Sequence, residues 1–546
     1  MLSLRSYAFV LTLLCILTLS TGCGKSNDSD APASTTTTTS TSTTTASISG
    51  SVFAAPVSGA SVLAKTASGT TLAGPVTTAA DGTYTITIAS ADLASDLIIE
   101  SSSGTYTDEA TGSTTTAGKL AAYISGGTLS DGSSVHLDPS STIVHDLVQT
   151  YGKSLSSAKS TFAAAFGYTP DTSIEPRNDA VSTASKRLAG LRAGVFSRLT
   201  QDLVLSAAQQ FSLMASLAKD LSDGKLDGIR SAASTTELIT VGSTTLGEDI
   251  QNLFEHSLAT YLSDSTRNLT GLGPNQIGSL PFGRVALTPS YRIEYIENGG
   301  AAAVGKTSFR LKITDQNLGT AVTGTSVAVM PKMHMSFTDM HSTPGDTMAM
   351  EDGSTGIYDC TLYYVMGSGM NAGYWELKVT IGGMGGETAT FYPSVGMMSM
   401  FGTPFMKLNT AATGTDLISG MMGMPAKRPW YVFFDELSSG MSPTISMFLA
   451  AKDTMMSFPS IVSGGTVTLH DQNNALIPID TVEMKAYSSD WTEFTGSDDG
   501  AGYWSFSIPS GVISMGTNTV FVTLKVNGDL KSTSSSTYAA FTIKKM

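Results

Sequence analysis

Cysteine is scarce in this chain of 546 residues: there are three, Cys15, Cys23 and Cys360. Two of them fall close to the N-terminus, so a disulfide framework is excluded as the source of stability. Charge is scarce as well, at 14% of residues, and the basic sign is the scarcer one, with 31 Lys and Arg against 45 Asp and Glu. The net charge of −14 argues against nucleic acid and anionic membrane surfaces as partners, and mildly favours cations. The apolar run Ala8 to Leu19 is too short for a typical membrane span. Catalytic signatures are missing too. There is no G-x-S-x-G, H-E-x-x-H, Walker A or dinucleotide fingerprint, so an enzyme is not expected.

Glycine and methionine are abundant, at 54 and 25 residues. Low charge with much glycine is the profile of β-rich secreted modules, and the length predicts several domains. The methionines are unevenly placed: all but Met1, Met214 and Met546 fall between Met330 and Met515.

Arg5 followed by the short apolar core reads as a targeting signal. Leu19-Ser20-Thr21-Gly22-Cys23 resembles a bacterial lipobox, with Leu19 one residue farther from the cysteine than the family pattern. The resemblance implies that residues 1–22 are a lipoprotein signal peptide and that Cys23 carries the lipid. Gly24, where Asp would favour inner-membrane retention, implies an outer-membrane lipoprotein facing the periplasm or the cell surface. Cys360 would then stand alone. Residues 23–46 are rich in Ser and Thr and cannot bury apolar surface, so they are expected to be a disordered tether.

Residues 47–101 alternate with period two. They carry Ser49-Gly50-Ser51-Val52, then Pro56-Val57-Ser58-Gly59-Ala60-Ser61-Val62, then Asp81-Gly82 before Thr83-Tyr84-Thr85-Ile86. This stretch resembles a carboxypeptidase-regulatory-like domain, a small transthyretin-type β-sandwich, and the resemblance carries over nothing catalytic. A connecting segment is expected at 102–139. Over 140–272 the period becomes helical: Val181, Ala184, Leu188, Leu191, Val195 and Leu199 recur on one face, and Ile250, Leu253, Phe254, Leu258 and Tyr261 on another. A bundle of about four or five helices is predicted, the first capped by Ser140 or Ser141. Ser156 and Lys159 form an S-x-x-K without partner motifs and read as a solvated helix face. Asp220, Asp223-Gly224 and Asp227-Gly228 gather oxygens as a calcium loop would, but with spacing that does not match an EF-hand. His136, His145 and His256 are scattered and read as structural.

Strands return over 289–395. Asp315, Met330-Pro331, Gly356-Ile357-Tyr358 and Gly373-Tyr374-Trp375 carry a resemblance to the YtkA-like family and, more loosely, to copper-resistance Ig-like domains. That implies a periplasmic β-sandwich associated with metal handling. Residues 396–424 read as a linker rich in Gly and Met, and 425–546 as a divergent second copy. In that copy Leu469-His470-Asp471-Gln472-Asn473 echoes Ile313-Thr314-Asp315-Gln316-Asn317. The fold class expected is multidomain and mainly β, with Ig-like and transthyretin-like antiparallel sandwiches and an α-helical bundle between them.

Potential ligands are densest at Met330, Met333, His334, Met335, Met340 and His341. Thioether sulfur suits Cu(I), and imidazole suits copper in either oxidation state. Met333 and Met335 share one face of a strand while His334 points away, so Met333, Met335 and His341 make the easier site. Met348 and Met350 are a further candidate pair. The second copy has Lys485-Ala486-Tyr487 in the corresponding place, so the sandwich does not need Met and His there to fold. The expected function is copper binding, as Cu(I) or Cu(II), in the cell envelope. The alternative is a non-enzymatic interaction protein whose Met-rich loops contact an envelope protein or a hydrophobic ligand.

Overall fold

The computed structural model describes residues 44–232, 234–397, 402–410, 416–420, 424–440 and 443–545. The signal segment, Cys23 and most of the tether lie outside them, as do Met398, Met400, Met421 and Met422. The fold is mainly β, with antiparallel sheets and a helical layer between them in sequence. No helix among the described residues is long and apolar enough to cross a membrane.

The first sandwich pairs Thr45–Ser51 with Thr83–Ala89, and faces this pair with a four-stranded sheet. Alternation decides the faces: Tyr84, Ile86 and Ile88 are buried while Thr85 and Thr87 are exposed. The Asp81-Gly82 turn works as its chemistry requires. Asp81 accepts from the Thr83 backbone and hydroxyl, and Gly82 sits at φ 79°, where a Cβ would lie 2.6 Å from the Val52 carbonyl. The sheet takes its last strand, Leu120–Ile124, from beyond residue 101, where a connecting segment was expected. All five of its residues are apolar, so the strand shows none of the alternation that marks its neighbours.

Among the described residues five α-helices follow: α1 Pro139–Gln149, α2 Leu155–Phe166, α3 Ala184–Asp202, α4 Gln210–Asp220 and α5 Ile250–Ser263. The cap of α1 is Asp138, not a serine. Its side chain accepts from Ser141 N at 2.7 Å, and Ser141 Oγ accepts from Asp138 N at 2.9 Å. Pro139 explains the shift, because proline at the first helical position forces the residue before it into an extended conformation. Val181, assigned to the periodic face, is exposed and lies before α3. The helices do not form a separate bundle. Phe162, Val195, Leu217 and Phe254 share one continuous core with Ile48, Val62 and Ile99 of the first sandwich.

The sandwich after the helices and the C-terminal one follow one order of strand pairing. In the former the order is 291–298, 305–315, 357–364, 348–351, 327–334, 374–381, 387–391. In the latter it is 429–437, 444–451, 503–507, 493–498, 482–488, 516–526, 539–545. Asp315 and Asp471 hold equivalent turns, accepting from Asn317 N at 2.9 Å and Asn473 N at 2.8 Å. The stretch read as a linker supplies Phe405–Thr410, which pairs with 429–437 and 529–532 and helps close the second sheet into a ring.

Both sandwiches meet at Tyr363, which stacks on Phe448 at 4.4 Å and donates its hydroxyl to Asp435. α5 seats the first of them: Asn252 donates to the Thr390 carbonyl at 3.0 Å, and His256 hydrogen-bonds the Tyr392 hydroxyl at 3.0 Å.

Candidate metal centre

The strand Val327–His334 places the methionine-rich stretch, and its pleat sorts the ligands. Val327, Val329, Pro331 and Met333 face the core, while Ala328, Met330, Lys332 and His334 face outward. A short return strand, Met340–His341, pairs with it antiparallel, Met333 opposite His341 and His334 opposite Met340. Residues directly opposite share a face. The six candidates therefore divide. Met333 and His341 face inward, with Met335 packed against the same core, and Met330, His334 and Met340 lie on the other side.

The outward group has other partners. His334 Nε2 is 2.8 Å from Glu376 Oε2, and its ring stacks on Tyr374 at 4.8 Å. Burial opposes the charge on Glu376, but His334 and Lys332 outweigh it and hold the carboxyl below its ordinary value. Met330 is 47% exposed, and Met348 and Met350 are exposed on the neighbouring strand.

The inward group is different. His341 is buried, 5.5 Å from the Trp375 ring and edge-on to it. Its Nδ1 lies 2.6 Å from the Ser342 carbonyl. A carbonyl only accepts, so Nδ1 carries the hydrogen. Burial pushes the imidazole pKa down, the Lys452 charge adds to that, and the Ser342 hydrogen bond opposes it. The neutral ring then has a lone pair on Nε2, and Nε2 faces Met366 Sδ at 3.2 Å. Neither atom has a hydrogen to give. A ring nitrogen tied to a backbone carbonyl, leaving the other directed at a soft donor, is the arrangement that orients metal-binding imidazoles. With first-row metal bonds of about 2.0 Å to nitrogen and 2.3 Å to sulfur, one ion spans such a separation at roughly 95°.

Met366 was not among the residues singled out from the sequence. Its place is fixed by Trp375, whose indole donates to the Met366 carbonyl at 3.0 Å. The available signal was its setting, Met366-Gly367-Ser368-Gly369-Met370, another methionine in a glycine loop.

The remaining candidates are separate. Cys360 is buried on the core face, and burial pushes its thiol pKa well up. Among the described residues no three His, Cys, Asp or Glu side chains gather as a metal group. Asp223, part of the calcium-like cluster, accepts from Lys225 N and Ser231 N, and Asp220 from Gly228 N. Those bonds shape a turn, and Asp220 Oδ1 remains buried without a partner. His136 hydrogen-bonds Ser51 Oγ, and His145 contacts Asp146. Ser156 lies in the first turn of α2, within 3.2 Å of Ser154 Oγ, the cap hydroxyl.

No protein-family model matches the chain, and no curated protein does. Among solved structures it is similar to domains 4–9 of the surface layer protein SbsC. The identity is 12%, with 48% of this chain and 32% of that one covered and a TM-score of 0.15. The match thus spans about a third of the length of that solved chain. It is also similar to a marsupial T cell receptor, with 9% identity, 47% of this chain and 97% of that one covered, and a TM-score of 0.13. Likenesses this distant carry no functional argument.

Proposed function

We propose that this protein is a cell-envelope lipoprotein that binds copper in the core of its Met-rich sandwich. The observation that carries the reading is the His341 Nε2–Met366 Sδ pair, two lone-pair donors at 3.2 Å with no hydrogen between them. Met333, across the strand pair from His341, is the third donor, and Met335 packs beside it. The set is soft and borderline, which suits copper over calcium or magnesium. The lipobox resemblance at Cys23 supports attachment to the outer membrane. The test is equilibrium copper binding to the purified chain, with and without His341→Ala. Equal binding by both proteins would sink the reading.

A second reading has its own observation. Met330, Met348 and Met350 are exposed on one outer face, formed by Val327–His334 and Met348–Glu351. Flexible, polarizable side chains in that position suit contact with an envelope protein. Changing all three to Ser should then abolish crosslinking to that protein and leave copper binding intact.

A further inference from the structure

The walls around His341 are uncharged on one side and positive on the other. Trp375 and Met333 belong to the first sandwich. The second sandwich closes the opposite side. Phe458 stands 6.4 Å from the imidazole, and Ser342 N donates to the Met455 carbonyl at 3.0 Å. Lys452, at the root of that loop, donates to Met455 Sδ at 3.0 Å, and because Met455 in turn accepts from Ser342 N, the ammonium group is held beside the segment that follows His341.

Such a setting distinguishes ions by charge. The cost of taking an ion from water into a poorly polarizable interior rises with the square of its charge, roughly fourfold from a monovalent to a divalent cation. An imidazole and thioethers bring no negative charge to offset it. The repulsion from Lys452 also doubles for a divalent ion. We propose that the site is a valence filter: it takes a monovalent soft cation, Cu(I) or Ag(I), rejects Cu(II) and Zn(II), and uses Lys452 of the second sandwich as a specificity-determining residue. This rests on the copper-binding reading above.

The experiment uses the full chain. Ag(I) and Cu(I) affinities are measured by competition with a chromophoric chelator, and Cu(II) and Zn(II) by direct titration. The monovalent ions should bind roughly a hundredfold or more tighter than the divalent ones. Lys452→Met should narrow that ratio by about tenfold or more, mainly by admitting Cu(II), whereas Lys452→Arg should keep it. Equal affinity of the wild-type chain for Ag(I) and Cu(II), both weakened by Met366→Leu, would overturn the filter and leave the metal site standing. An unchanged ratio in Lys452→Met would overturn it too. If no ion binds the wild-type chain, the copper reading falls and takes the filter with it.

Discussion

One hydrogen bond sets the chemistry of the candidate centre. Because Ser342 O holds the Nδ1 hydrogen of His341, the other nitrogen is aimed at Met366 as an electron-pair donor. His334 shares the same sequence cluster but has Glu376 as its partner on the other side of the strand. The two histidines should therefore behave oppositely. His341→Ala or Met366→Leu should weaken copper binding by roughly tenfold or more, while His334→Ala should leave it nearly unchanged. Isothermal titration of the three variants checks this, and a His334 effect as large as the His341 effect would refute the division. Much of this was legible in sequence: alternation put Met333 and His334 on opposite faces. Met366 was not, because nothing local to it specifies that Trp375 will hold its carbonyl.

Elements carry the next level of argument. Trp375 lies on a strand covered on both sides. Its own side chain is in the sandwich core, and that of Tyr374 is in the core shared with the helices. Trp375→Ala removes a fully buried indole that also borders His341, and should cost about 3–5 kcal/mol by denaturant unfolding. A loss below about 1 kcal/mol would show that the neighbouring side chains collapse into the space. The helix cap gives a smaller test. Asp138→Ala removes the acceptor for Ser141 N, and should destabilise by about 1 kcal/mol. Periodicity located α3 and α5 because their apolar residues recur every three or four positions. It missed Leu120–Ile124, a strand whose five residues are all apolar and so show no alternation.

At the scale of the molecule, several carboxyl groups are buried with no countercharge beside them among the described residues. Burial pushes Glu109 up to about 8, against the opposing hydrogen bond from Asn178, and pushes Asp220 up to about 7. Glu255, beneath the α5 contact with the sandwich, is raised well above its ordinary value by burial. Groups with raised folded-state pKa values hold their proton longer folded than unfolded. Their contribution is complete below the ordinary carboxyl value near 4.5 and is lost as pH rises through the folded values. Glu175 and Glu376 act in the other direction. Burial opposes their charge, but Lys186 and Arg177, and His334, hold them below the ordinary value, so their contribution is lost in stronger acid. Thermal unfolding should thus be highest near pH 5 and fall toward pH 8, and Glu109→Gln should flatten the decline. A midpoint that rises from pH 5 to pH 8 would contradict this. Attachment is tested at the same scale: Cys23→Ser should move the protein from the membrane fraction to the soluble one, and unchanged partition would exclude the lipid anchor.

The sequence by itself determined the strand-rich class, the turn at Asp81-Gly82, and the faces of the Met-bearing strand. These follow from local rules, the two-residue pleat and the turn chemistry of Gly and Asp, that act within a few residues. Only the tertiary structure decided that the helices share a core with the first sandwich. It alone set Met366 against His341 and brought Lys452 of the second sandwich near the same ring. Those placements join residues far apart in the chain, and they depend on which apolar faces find each other, a choice that many sequences with the same local pattern leave open.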